Sequence, residues 1–250
     1  METGSWFIFL LCALLAEIVG SMAGFGAATI LSPMAALLMD VKRAIALVAG
    51  FHLMGNACRL IFFGYAIDWK VWRRFGLTAV LASVVGVQVA AGLPSPVIVL
   101  CLGLFLVGYV AFDRWWPGGI RLPQRSATLA TGGVVSGFVA GLIGTGGAIR
   151  SACLLAFGLP KERYLGTSAA IALMVDATRL SLYVMEGFVP RQGFAVILSL
   201  MLVAFTGAWL GQRWIRRVRA EVFHLWVRVL LGCMGLKFVI DGGMWLLGRK

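Results

Sequence analysis

An all-α polytopic membrane protein is the fold class this sequence predicts, and three observations predict it. Apolar residues fill 61% and charged residues 13% of the 250 positions, with a mean hydropathy of +0.95. Soluble domains sit near roughly 45 to 50% and about 25%. Apolar runs recur from end to end, and a helix needs about 20 such residues to cross a hydrocarbon core of about 30 Å. The runs lack the alternation of strands, and in lipid only helices and closed barrels satisfy their own backbone.

The runs fall at about 5–22, 25–39, 44–66, 71–93 and 97–116, then at about 127–143, 146–159, 165–185, 194–212 and 222–240. Between the sets lies Arg114-Trp-Trp-Pro-Gly-Gly-Ile-Arg-Leu-Pro-Gln-Arg125, whose Pro and Gly residues mark a boundary. The organisation expected is a first membrane repeat at 1–116, a connector at 117–126 and a second repeat at 127–250. The halves superpose at a shift of 120 residues: Gly24-Phe-Gly26-Ala-Ala28 on Gly144-Thr-Gly146-Gly-Ala148, and Asn56-Ala-Cys-Arg59-Leu on Asp176-Ala-Thr-Arg179-Leu. Small residues align by chance in any membrane chain. A polar residue followed three later by Arg, at mid-helix in both halves, is much harder to obtain by accident.

Basic residues weigh the topology. If each Gly-interrupted pair of runs (5–39, 127–159) makes one crossing, the connectors carry nine Lys/Arg on one side and eight on the other. If each pair is a re-entrant hairpin, the split is five (42, 43, 191, 249, 250) against twelve, which obeys the positive-inside tendency. It also leaves three full crossings per half, which makes the repeats inverted. Each repeat then opens with a Gly-broken helix, re-entrant or discontinuous.

The net charge of +12 sits largely in short connectors such as Lys42-Arg43, Lys70 to Arg74 and Arg213 to Arg219, where it meets anionic headgroups rather than nucleic acid. Cys12, Cys58, Cys101, Cys153 and Cys233 are scattered through apolar runs without a CxxC and read as small hydrophobes. Met1 to Ser5 has an acidic residue and no basic one, so the first run is expected to be retained rather than cleaved. His52 and His224 are too few and too separated for haem or zinc, and neither a cofactor nor a metal is expected.

Gly24, Phe25, Gly26 and Ala27, and Gly144, Thr145, Gly146 and Gly147, each stand between two apolar runs. Glycine there lets the backbone leave helical geometry, which a membrane tolerates only beside protein or a water-filled cavity. The N–H groups and positive dipole end of the next half-helix then form an anion site. Close packing through small residues is the competing explanation. No Gly-Lys-Ser/Thr follows, so a nucleotide loop is excluded.

Asn56 with Arg59 and Asp176 with Arg179 share one face of their helices, and His52 lies one turn earlier. A mid-bilayer arginine costs about 2.5 to 3.5 kcal/mol on the insertion scale. Either Asp176 offsets it structurally, pairing with Arg179 or Arg59, or the guanidinium groups face a cavity and bind an oxyanion. In the second case Asp176 is a candidate coupling carboxylate. Glu17, inside the first run, is a satisfied interior carboxylate or a second coupling group. Thr167 and Ser168 are expected to cap the helix that carries Asp176 or to touch substrate, and Arg150 to add charge to the pocket or to snorkel. Trp69, Trp72, Trp115, Trp116 and Trp245 fall at run ends as an interfacial belt.

Two repeats, each opening with a Gly-rich break followed by a helix with central Asn/Asp and Arg, resemble the TauE/SafE sulfite exporter family, also called the toluene sulfonate uptake permease family. Its Gly-x-Gly-Gly loop with a Pro soon after is matched by Gly24-Phe-Gly26-Ala27 with Pro33 and by Gly144-Thr-Gly146-Gly147, where Cys153 stands for the Pro. The resemblance implies a multi-pass inner (plasma) membrane transporter of sulfur-containing anions such as sulfite or organosulfonates, in export or uptake. The expected function is therefore secondary transport, with proton or sodium as coupling ion. A passive anion channel and a non-transporting scaffold are the alternatives. An intramembrane enzyme is not expected, for the chain has no Gly-x-Ser with a partner His and no paired-Asp Gly-Asp motif.

Overall fold

The structure is a computed structural model that describes residues 9–11, 13–18, 27–115, 123–189, 193–214 and 220–248. Among these residues ten longer helices, a 3-10 turn at Gly64–Ala66 and no strand are found: α1 (Phe9–Ile18), α2 (Ala28–Leu38), α3 (Val41–Phe63), α4 (Trp69–Gly92), α5 (Ser95–Trp115), α6 (Ser126–Ile143), α7 (Gly147–Ala156), α8 (Lys161–Met185), α9 (Gly193–Trp214) and α10 (Ala220–Leu246). Six are long and apolar enough to cross a membrane: α3, α4, α5, α6, α8 and α10. The chain is an all-helical polytopic membrane protein.

Each apolar run of the sequence is occupied by one helix. The largest differences are at α8, which begins at Lys161 rather than near 165, and α10, which ends at Leu246 rather than near 240. Hydropathy marks the hydrocarbon part of a helix, whereas a polar turn such as Lys161-Glu162-Arg163 continues it into the headgroup layer. Local polar chemistry sets other starts. The Asp40 carboxylate accepts the Lys42 N–H at 2.9 Å at the head of α3, and Asp68 accepts the Lys70 and Val71 N–H groups at 3.0 Å at the head of α4. Just after that cap, Trp72–Gly76 widens into a π turn.

Glycine governs the closest packing. A methyl group on Gly133, Gly137 or Gly141 of α6 would lie 2.4, 2.0 or 2.3 Å from the carbonyl oxygens of Phe75, Ala79 or Ser83 on α4. The contacts advance by four residues on both helices, so α4 and α6 run parallel with their backbones touching, a small-xxx-small interface.

Two other pairs run antiparallel. Along α3 and α8, Lys42 lies near Phe188, Asn56 meets Asp176, and Gly166 approaches the Phe63 carbonyl. Along α5 and α10, Leu100 packs on Gly242, Gly103 on Val239 and Leu106 on Gly235.

After α6 the chain turns back on itself. Gly144 closes α6 with φ of 80°, a left-handed value that suits glycine because no Cβ opposes it. Ser136 then donates to the Gly146 carbonyl at 2.9 Å, Gly132 faces Cys153, and the Gln124 amide reaches the Ala156 carbonyl at 3.3 Å. Thus α7 returns along α6 to the end of the bundle where α6 began. That end also holds Asp68 against Thr167, while the opposite end holds Lys42 against the Ala91 carbonyl and Gln88 against Glu186. Trp69 and Trp115 are exposed at the first end and Trp245 at the second.

Candidate functional site

The stripe His52, Asn56, Arg59 on α3 and the stripe Asp176, Arg179, Tyr183 on α8 face each other because the two helices cross at Asn56 and Asp176. All six side chains are buried. The Asn56 amide donates to Asp176 Oδ2 at 2.9 Å, while Arg59 donates from one Nη to Asn56 Oδ1 at 3.0 Å and from the other to Glu17 Oε1 at 2.6 Å. Arg179 donates from Nε to Asp176 Oδ1 at 2.9 Å and from Nη1 to the Ala140 carbonyl at 3.1 Å. Each of these two guanidinium groups therefore has its own carboxylate, which offsets its cost in a low dielectric.

Between the stripes and the turn after α6 lies a cavity of about 20 Å³, room for about one water molecule. From α3 it is lined by His52, Asn56 and Arg59, and from α8 by Val175, Asp176 and Arg179. The α6–α7 segment adds Ala140, Gly144, Gly146, Gly147 and Arg150. The start of α7 borders the cavity through Gly146 and Gly147, and no side chain caps it among the described residues. Arg150, half-buried, donates from Nε to Ser168 Oγ at 3.0 Å. His52 lines the same cavity edge-on to Phe51, with its buried Nε2 lacking a hydrogen-bond partner among the described residues.

Most of the residues singled out from the sequence thus meet at one place. Of the first glycine break, Gly24, Phe25 and Gly26 lie outside the described residues, and Ala27 is buried at the head of α2 without lining the cavity. Thr145 likewise turns away, its hydroxyl 3.4 Å from that of Thr29 on α2, and Ser32 donates to the Gly144 carbonyl at 3.4 Å. The start of α2 therefore packs on the turn between α6 and α7. Asp176 pairs with Arg179 on its own helix, and the residue it meets across the crossing is Asn56; Arg59 takes Glu17 instead.

The capping role expected of Thr167 and Ser168 is corrected, because α8 begins two turns earlier at Lys161. Thr167 Oγ1 accepts the backbone N–H of Asp68 at 2.9 Å, bracing the head of α4, and Ser168 holds Arg150. Two contributors were missed from the sequence. Tyr183 donates to the Gly141 carbonyl at 2.6 Å, and its signal was its place one turn after Arg179 on the same stripe. Ser136, which fixes Gly146, is one Ser among several in apolar runs and gives no such signal.

Neither the curated proteins nor the solved structures give a match to this chain. The family described as Sulfite exporter TauE/SafE matches residues 9–238, a span that takes in Glu17, both buried arginines and the glycine turn between α6 and α7. With that match running over most of its length, the chain belongs to the TauE/SafE sulfite exporter family.

Proposed function

We propose that this membrane protein is a secondary transporter of small sulfur-containing anions, sulfite or organosulfonates, held near the bilayer midplane between two inverted halves. The observation that carries the proposal is the convergence of Arg59 and Arg179, 120 positions apart in the sequence, on one buried cavity beside the uncapped start of α7. Guanidinium groups and helix-start N–H groups are both oxyanion donors. They meet where a charged guest is otherwise most costly to hold.

The inverted arrangement of 1–116 and 127–250, joined by 117–126, is supported by the crossing of α3 and α8. Asn56 and Asp176 are counterparts at a shift of 120 and bond to each other across antiparallel helices, as counterparts on a two-fold axis do. The contacts of Gly50 with Ile197 and of Gly76 with Ile171 interchange under the same operation at a shift of 121. Substrate sites at the interface of inverted repeats are the common plan of secondary transporters. The return of α7 to the end where α6 began fits a re-entrant hairpin. That end carries Lys70, Arg73, Arg74, Arg125, Lys161 and Arg163, so the positive-inside tendency makes it cytoplasmic.

A cavity of one water's volume favours a carrier over an open channel, because the halves must separate before a three-oxygen anion enters. Asp176 and Glu17 are the carboxylates available for proton or sodium coupling. The test is uptake into proteoliposomes of sulfite, sulfate, thiosulfate, sulfoacetate and chloride, with and without a pH gradient. Saturable, gradient-responsive uptake of at least one of the sulfur anions is expected. Arg59→Ala or Arg179→Ala, if it still folds, should abolish that uptake. Movement of none of these anions by the wild-type protein ends the proposal, and ohmic conductance would replace the carrier with a channel.

A further inference from the structure

Resting on the transport reading above, a charge count narrows the guest. Among the described residues, three arginines and two carboxylates line the cavity or bond directly to side chains that do: Arg59, Arg150 and Arg179 against Glu17 and Asp176. Counting His52 as an uncharged imidazole, the site carries one net positive charge. Arg59 and Arg179 are matched by carboxylates at 2.6 and 2.9 Å, whereas Arg150 has only the Ser168 hydroxyl among the described residues.

We propose that the site selects singly charged sulfur oxyanions, sulfonates of the form R–SO3⁻ or hydrogensulfite, over doubly charged ones such as sulfate. A monoanion brings the occupied site to neutrality. A dianion leaves one uncompensated negative charge in a buried, low-dielectric interior, where burying an unpaired ion is severely penalised. The donors not committed to carboxylates suit one sulfonate group: the Arg150 guanidinium, the His52 imidazole, whose Nε2 has no partner among the described residues, and the N–H groups at the head of α7. Arg59 and Arg179, held in place by Glu17 and Asp176, line the same cavity and add their guanidinium groups to this set.

The test uses the full-length protein in nanodiscs, with methanesulfonate and sulfate as probes at matched ionic strength, read by calorimetry and by ligand-induced shift of the melting temperature. Wild type should prefer methanesulfonate by about 100-fold or more, a difference expected for one unmatched buried charge. Arg150→Gln should lose methanesulfonate binding, and Arg150→Lys should keep most of it. Glu17→Gln adds a net positive charge and should move preference toward sulfate. Should that variant not fold, the Arg150 pair alone carries the test, because Arg150 is half-buried and hydrogen-bonds to a hydroxyl rather than to a carboxylate. Sulfate bound as tightly as methanesulfonate by wild type, or methanesulfonate binding unchanged in Arg150→Gln, overturns the monoanion assignment while leaving anion transport standing. Binding of neither probe, together with no uptake of any sulfur anion, overturns the transport reading itself.

Discussion

The Asn56 amide donates to Asp176 Oδ2 at 2.9 Å, joining two helices through residues that stand 120 positions apart in the chain. That bond is the middle of a polar ladder running from Glu17 through Arg59, Asn56, Asp176 and Arg179 to the Ala140 carbonyl. Each member bonds to the next, which is how two arginines and two carboxylates are tolerated inside an apolar helical bundle.

Asp176→Asn should therefore destabilise the protein by about 3 to 5 kcal/mol, since it strands the Arg179 guanidinium without its carboxylate. Asn56→Asp should also destabilise, by setting two carboxylates against each other. The exchange Asn56→Asp with Asp176→Asn keeps one amide, one carboxylate and both arginines across the same crossing. It should recover at least half of the loss in a double-mutant cycle read by thermal unfolding in detergent. A double variant as unstable as the two losses added together would show that the ladder is not a single network.

Gly137→Ala should be the most disruptive of the single glycine substitutions along α6. Its methyl would fall 2.0 Å from the Ala79 carbonyl oxygen, a backbone atom that cannot rotate away. Overpacking of this kind costs about 1 to 3 kcal/mol, and here α4 and α6 must separate to relieve it. Gly108→Ala on α5 meets nothing within 4 Å and should be neutral or stabilising by up to about 1 kcal/mol. Equal melting temperatures for the two variants would remove the close-packing account of the α4–α6 pair.

Much of this architecture was legible because hydropathy reports lipid exposure directly, and lipid permits few folds. All ten apolar runs became helices for that reason, and the chance-resistant signal at Asn56/Arg59 and Asp176/Arg179 pointed to the residues that meet at the centre. What could not be read was partnership. Whether Asp176 takes Arg59 or Arg179 depends on a register of a few ångströms between α3 and α8. The choice of Glu17 for Arg59 depends on where α1 packs. Thr167 was misjudged because Lys161-Glu162-Arg163 carries no apolar signal, yet continues α8 outward past the hydrocarbon edge.

On the proposed carrier reading, the two ends of the bundle open in turn to fill and empty the cavity. At the end away from the basic cluster, the Gln88 amide donates to Glu186 at 3.1 Å, tying the close of α4 to that of α8. Nearby, Lys42 donates to the Ala91 carbonyl at 3.0 Å and lies over the Phe188 ring. Cysteines placed at 88 and 186 and bridged by a short reducible cross-linker should lower uptake at least about 10-fold, with recovery on reduction. Each single cysteine variant should transport normally. Undiminished uptake by the bridged protein would mean that this end does not open during transport.

His52 separates a binding role from a structural one. Its buried Nε2 has no partner among the described residues, and an unsatisfied buried nitrogen costs the folded protein about 1 to 3 kcal/mol. His52→Phe keeps the ring shape against Phe51 and removes that cost. Its melting temperature should therefore hold or rise. If the nitrogen donates to the anion, the same variant should lose about 10-fold in apparent affinity, the equivalent of one hydrogen bond worth about 1.4 kcal/mol. His52→Asn, which restores a donor on a shorter side chain, should recover part of the affinity at some cost in packing. The two readouts move in opposite directions only for a residue kept for its ligand. Wild-type affinity in His52→Phe would assign the imidazole to packing, and the donors of the site would then be the three arginines and the head of α7.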